Sequence, residues 1–190
     1  MFKLLSRVVN GVQGGVSAAL EGAGDVGSSI VGAVKDVTVN TLKESGEFIQ
    51  EGLDVPASIV KGALEGATSV GSTFIGAVKG VVNGTVQGFM DEGGKQDDAV
   101  NGAVAQAIMS AKDLGEDVVD TAVSAAKGAI EAVGQVGGDT VSATKEAVET
   151  AFMTSTQVGG AAADDVKDAL RSGIDGAGDV LDAMKDTDKE

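Results

Sequence analysis

The chain lacks several residue types on which enzymes and metal sites depend. Its 190 residues include no cysteine, histidine, tryptophan or tyrosine, with only five phenylalanines and one proline. Without cysteine and histidine, the usual nucleophile–base pairs and most transition-metal sites are missing. We therefore predict a protein that is not an enzyme and has no cofactor-binding or metal-binding residues. The absence of cysteine also fits a reducing compartment.

Long hydrophobic runs are missing as well. No stretch reaches the roughly 18 apolar residues of a membrane-spanning helix, and residues 1–15 become polar too soon for a signal peptide. The formal net charge of −15 disfavours nucleic acid and strongly anionic membranes as partners. We expect an intracellular protein, either cytoplasmic or peripheral to a membrane or lipid droplet.

The chain does contain an 11-residue repeat, in sixteen consecutive copies from Val8 to Ala183. Eleven residues make three turns of about 3.67 residues, so one face of a helix stays aligned along its length. We predict an apolar stripe on that face, which packs on lipid or on other helices. At the second position of the repeat it comprises Leu20, Val31, Leu42, Leu53, Leu64, Ile75, Val86, Ile108, Val119, Ile130, Val141, Phe152 and Ile174. At the eighth position it comprises Val26, Val37, Phe48, Ile59, Val70, Val81, Leu114, Val136, Val158 and Val180.

The acidic residues fall on the opposite side of the predicted helix. Of the 29 acids, 18 occupy the third and seventh positions of the repeat, nearly opposite the centre of the stripe. Such a distribution is typical of a solvated face and does not indicate a catalytic carboxylate pair. The sequence therefore predicts an all-α fold of long amphipathic helices with 11-residue periodicity.

A longer repeat of 44 residues overlies the short one, since residues 19–37 match residues 63–81. The apolar pattern weakens at three turn candidates, around residues 52–56, 93–98 and 137–140. We predict a single repeat domain of residues 1–190, with four helical segments in a bundle or an extended assembly: 2–50, 55–92, 98–136 and 140–187.

Four glycines share the 44-residue spacing: Gly27, Gly71, Gly115 and Gly159. We predict that they allow close packing of helices, because small residues let two backbones approach. The alternative is that glycine merely lowers hydrophobicity and helix propensity, so that the chain stays in solution until it meets a surface.

The stretch GAVKGVVNGTVQG at residues 76–88 looks like a perilipin repeat in its valines, threonine, glycines and border lysine. Over nearly its whole length the chain resembles the 11-residue-repeat amphipathic proteins, namely synucleins, perilipins and late-embryogenesis-abundant proteins. The resemblance is one of composition and period. It implies helices that form on a membrane or lipid droplet.

These observations predict a non-enzymatic protein that coats a neutral or zwitterionic lipid surface with its stripe. The first alternative is a self-assembling structural bundle or filament, because breaks at matched intervals suit a bundle. A second alternative is a stress protectant of the late-embryogenesis-abundant type. The expected partners are a lipid surface or other copies of the chain, and we expect a homo-oligomer.

Overall fold

The computed structural model describes the backbone of residues 2–21, 26–45 and 54–187, and the side chains of residues 6–21, 29–43, 55–159 and 163–185. The described backbone consists of α-helices and short turns, without a β-strand, so the prediction of an all-α fold is confirmed. The helices are α1 (Phe2–Leu20), α2 (Val26–Ser45), α3 (Asp54–Ser69), α4 (Phe74–Asp91), α5 (Gln96–Leu114), α6 (Val118–Gln135), α7 (Thr140–Val158), α8 (Gly160–Gly173) and α9 (Ala177–Thr187).

Five helices in a row end at glycines that have positive φ and are spaced by 22 residues. At the end of α5, for example, the amide of Glu116 donates to the Ala111 carbonyl over 2.8 Å, as in a Schellman turn. Glycine suits this turn because its left-handed backbone brings no steric penalty from a Cβ. The glycines are Gly71, Gly93, Gly115, Gly137 and Gly159.

Two predictions from the sequence are corrected by these turns. Gly71, Gly115 and Gly159 do not pack closely on another helix, since a Cβ at each would meet no described atom within 4 Å. The surroundings of Gly27 lie outside the described part of the chain. The four long segments are also divided: α3 and α4 both fall inside 55–92, and each of the other segments likewise holds more than one helix. The 44-residue spacing of these glycines therefore marks every second turn.

Side-chain caps start several of the helices. Thr73 and Asp117 accept hydrogen bonds from backbone amides in the first turns of α4 and α6, and Asp139 accepts two such bonds in α7. Caps of this kind satisfy amides that have no partner within the helix, and each contributes about 1 kcal/mol. Gln96 at the start of α5 exchanges two 3.0 Å hydrogen bonds with the backbone of Asp139. This pair aligns the starts of α5 and α7.

The helices stack in two layers. Each helix contacts the next one in the chain and the next but one, and within the described ranges no more distant pair makes an extensive contact. Odd-numbered helices therefore form one layer and even-numbered helices the other. Neighbours within a layer run parallel, as where Gly62 and Gly66 of α3 lie against Val9 and Gln13 of α1 in the same order along the chain. The result is an open array of repeats, in which each unit contacts only those near it.

Glycines inside the helices let neighbours in one layer approach closely. A Cβ at Gly62 of α3 would lie 2.4 Å from the Val9 carbonyl oxygen of α1, and a Cβ at Gly84 of α4 would lie 2.6 Å from the Val31 carbonyl oxygen of α2. Such separations leave no room for a side chain. The same close approach occurs at Gly66, Gly80, Gly88 and Gly128. These are the close-packing glycines of the fold, in place of the four predicted from the 44-residue spacing.

Candidate functional site

The structure describes the side chains of twenty predicted stripe residues and places most of them inside the array. Eight are buried: Leu20, Leu42, Ile59, Leu64, Val81, Val86, Ile108 and Ile174. Ten are partly buried: Val31, Val37, Val70, Ile75, Val119, Ile130, Val136, Phe152, Val158 and Val180. Two are exposed, namely Leu114 at 62% and Val141 at 80%. Val26, Phe48 and Leu53 lie outside the described side chains.

Other helices of the same chain cover much of this stripe. The Val37 side chain of α2 lies against Gly15 of α1, and the Val31 side chain of α2 lies against Gly80 of α4. Burial of a valine, leucine or isoleucine side chain contributes about 1.5–3 kcal/mol. A lipid surface would have to replace these contacts before the stripe could lie on it.

Alanines form a second buried stripe that the large residues of the 11-residue repeat do not reveal. Their spacing of four residues puts them in a line along the helix, where their small side chains permit close packing. The sequence itself contains the signal for this stripe, as alanines repeated at every fourth position. In α5 the line is Ala99, Ala103, Ala107 and Ala111, and in α7 it is Ala143, Ala147 and Ala151.

A polar cluster around the buried residues Asn83 and Gln87 joins three helices of the even layer. Gln87 of α4 donates hydrogen bonds of 2.5 Å to Asn83 of the same helix and to Gln135 at the end of α6. Lys35 of α2 donates to Gln87 over 3.3 Å and forms a 2.7 Å ion pair with Asp91. Buried polar groups are costly unless they are hydrogen-bonded, so the cluster favours one register of the layer.

Charged side chains outside this cluster lie mostly on the surface. Ion pairs cross between neighbours in the even layer, as where Lys79 of α4 meets Glu131 of α6 at 2.6 Å. Both side chains are about half exposed, and pairs of this kind contribute at most about 1 kcal/mol. Among the described residues, no group of three or more acids is placed to hold a metal ion.

One face of α1 has no partner within the described ranges. Gly11, Gly14 and Ala18 are exposed there, and a Cβ at either glycine would meet no described atom within 4 Å. Arg7 and Glu21 are exposed at the two ends of the same face, since residues spaced by three or four positions share one side of a helix. This face therefore has small residues in its middle, a basic residue at one end and an acidic residue at the other.

No protein-family model matches this chain, and no curated protein gives a significant match. No described helix has the length and apolar character that crossing a membrane requires. The candidate sites therefore depend on the geometry of the described residues, among them the exposed face of α1.

Proposed function

We propose that this protein is a non-enzymatic structural protein, a helical-repeat scaffold that pairs with a second copy of itself. The unpartnered face of α1 is the observation that supports this most directly. Its small residues, Gly11, Gly14 and Ala18, are exposed in a fold that elsewhere uses such residues to bring helices together. Pairing through this face would join the odd layers of two copies into one longer array.

The charges of Arg7 in α1 and of Glu21, which directly follows α1, suit an antiparallel pair of α1 helices. If the two helices cross at Gly14, Arg7 of each copy lies opposite Glu21 of the other, because both residues are seven positions from Gly14. Two-fold symmetry then forms this ion pair twice. The small residues in the middle of the face let the two backbones approach, as in small-xxx-small packing.

The equivalent face of α3 shows how such a surface packs in this fold. Gly14 and Ala18 occupy the positions that Ser58 and Gly62 occupy 44 residues later. In α3, Gly62 lies directly against the backbone of α1. The outer face of α1 therefore has the shape of a packing face, and no described helix lies on it.

The first helix of the even layer has a different outer face. Asp36 and Asn40 of α2 are exposed at the positions equivalent to Gly80 and Gly84, which are the close-packing glycines of α4. Polar side chains here would hold a further helix away and would lose their hydration on contact. The proposed contact is thus limited to one helix from each copy, and a small contact area predicts a weak dimer.

Charge exchange between Arg7 and Glu21 tests this pairing. Either Arg7→Glu or Glu21→Arg places like charges opposite each other, so we expect each to weaken dimerisation by roughly tenfold or more. The double variant restores opposite charges and should restore the dimer. Sedimentation velocity over a concentration series measures all four proteins.

The double variant is the matched control. If the substitutions acted only by destabilising the protein, the double variant would dimerise less than either single variant. Circular dichroism at the lowest concentration checks that each protein stays helical. A wild-type chain that remains monomeric at high concentration would refute the proposal. Failure of the double variant to recover would refute the antiparallel geometry.

A second candidate function is the coating of a neutral or zwitterionic lipid surface by the opened array. The composition of the core favours it, because the buried apolar residues are mostly valine and alanine, and Phe74 and Phe89 are the aromatic residues among them. Replacing the packing contacts of small side chains by contacts with lipid costs less free energy than replacing those of large side chains. Each helix would then lie with its apolar face on the lipid.

A reversible disulfide tests whether lipid binding requires the array to open. The hydroxyl oxygens of Ser17 in α1 and Ser69 in α3 are 2.8 Å apart, and the chain has no other cysteine to interfere with a Ser17→Cys, Ser69→Cys variant. We expect the reduced variant to float with a triolein–phosphatidylcholine emulsion as the wild type does. The oxidised variant, whose α1 and α3 cannot separate, should stay in the aqueous phase.

The two redox states of one protein act as controls for each other. Wild-type protein that never floats with the emulsion would rule this function out. Equal flotation of the oxidised and reduced forms would show that lipid is bound without opening.

A further inference from the structure

A groove lies among α7, α8 and α9, at the opposite end of the array from α1. It has a volume of about 490 Å³, within the range typical of small-molecule sites. Its apolar lining comes from α7 and α9, whereas its basic residues come from α8 and α9. The apolar residues are Phe152, Met153, Leu181 and Met184, and the basic residues are Lys167 and Lys185.

The two lysines concentrate positive charge at one side of this groove. Lys167 and Lys185 both line the groove, and interaction with the Lys185 side chain, desolvation, and repulsion from Lys185 and Arg171 lower the pKa of Lys167, whereas the Asp164 carboxylate raises it. Arg171 and Lys185 both pair with Asp182, whereas Lys167 forms no ion pair with a described carboxylate. The three cations Lys167, Arg171 and Lys185 therefore outnumber Asp164 and Asp182, the two carboxylates that act on them, although the chain as a whole carries a net charge of −15.

The groove thus combines an apolar floor with a basic edge. Methionine side chains are flexible and fit chains of varied shape, and Met153 is 55% exposed. An anion that is polar throughout would leave this floor uncovered, and an apolar molecule without charge would leave Lys167 without an ion pair. The complement is a ligand with one anionic head and a long apolar chain.

We propose that this groove binds one molecule of a long-chain fatty acid. The carboxylate lies between Lys167 and Lys185, where each ammonium donates a charge-assisted hydrogen bond. The hydrocarbon chain covers Phe152, Leu181 and Met184. This activity goes beyond the scaffold function proposed above and does not depend on it, because the groove and the face of α1 are built from different helices.

Titration with oleate tests this site. Isothermal titration calorimetry of the full chain, with oleate below its micellar concentration, should show saturable binding of one oleate per chain. Lys167→Gln removes a positive charge beside the carboxylate of oleate, and we expect the affinity of this variant for oleate to fall roughly tenfold or more. Lys112→Gln removes an exposed charge of α5 outside the groove, and its affinity should stay within about twofold of the wild type.

Two further probes test the carboxylate separately from the hydrocarbon chain of the ligand, and monomeric oleate separately from a membrane surface. Oleyl alcohol has the same chain without the charge, so it should bind the wild type as weakly as oleate binds Lys167→Gln. The proposal is overturned if oleate does not saturate at one site, or if Lys167→Gln and Lys112→Gln bind equally well. Binding to phosphatidylglycerol vesicles without binding of monomeric oleate would likewise overturn it and would identify the groove as a membrane contact.

Discussion

At the scale of single residues, the same amino acid has different roles at different places in this fold. Glycine ends helices at Gly71 and Gly115, whereas Gly62 and Gly84 bring two backbones together. Gly32 of α2 does neither, since it is exposed and a Cβ there would meet no described atom within 4 Å. The sequence alone does not distinguish these three roles of glycine, because the distinction depends on which backbone lies opposite.

The different surroundings of Gly84 and Gly32 predict that a glycine-to-alanine substitution has opposite effects on stability at the two positions. Gly84→Ala would place a methyl group 2.6 Å from the Val31 carbonyl oxygen, so the helices must separate, and we expect a loss of about 1–3 kcal/mol in the free energy of unfolding. Gly32→Ala has open space and gains helix propensity, so stability should rise by about 0.5–1 kcal/mol. Urea unfolding followed by circular dichroism measures both.

The pair serves as its own control, because both variants add one methyl group to a helix of the even layer. A gain of stability in Gly84→Ala would mean that α2 and α4 are not in close contact. A loss in Gly32→Ala would mean that the outer face of α2 is covered.

At the scale of helices, the sequence located some of the breaks and missed others. Turns were predicted near residues 93–98 and 137–140, and the structure has turns there, with positive φ at Gly93 and Gly137. The turns at Gly71 and Gly115 were missed because the apolar pattern continues through them without a gap. A stripe that remains in phase across a turn looks the same in sequence as one long helix. Only the left-handed glycine and the cap that follows it, such as Asp117, distinguish the two.

At the scale of the whole molecule, contacts follow the order of the chain. The inner helix α4 is packed against helices of both layers, and residues 81–89 are buried without interruption. By contrast, α9 has 11 residues and contacts α7 and α8. Stability in such an array is a sum of units and their interfaces, so it should differ along the chain.

Hydrogen exchange should therefore be graded across the array. We expect the amides of α4 to exchange on the order of 100-fold more slowly than those of α9, because opening α4 disrupts both layers while α9 opens at the edge. Mass spectrometry or NMR of the exchanging protein measures this difference. Equal protection of both helices would show that the array opens only as a single unit.

The sequence by itself determined that this protein is helical and where its large apolar and acidic residues fall along the chain, because helix formation and amphipathic patterning depend on local order. Tertiary structure alone decided that the helices are about half as long as predicted and that they stack in two layers. It also decided which glycines face a backbone and which cations meet at the groove between α7 and α9. Those features join residues that are distant in the chain, such as Gly84 with Val31, and no local pattern specifies such a pair.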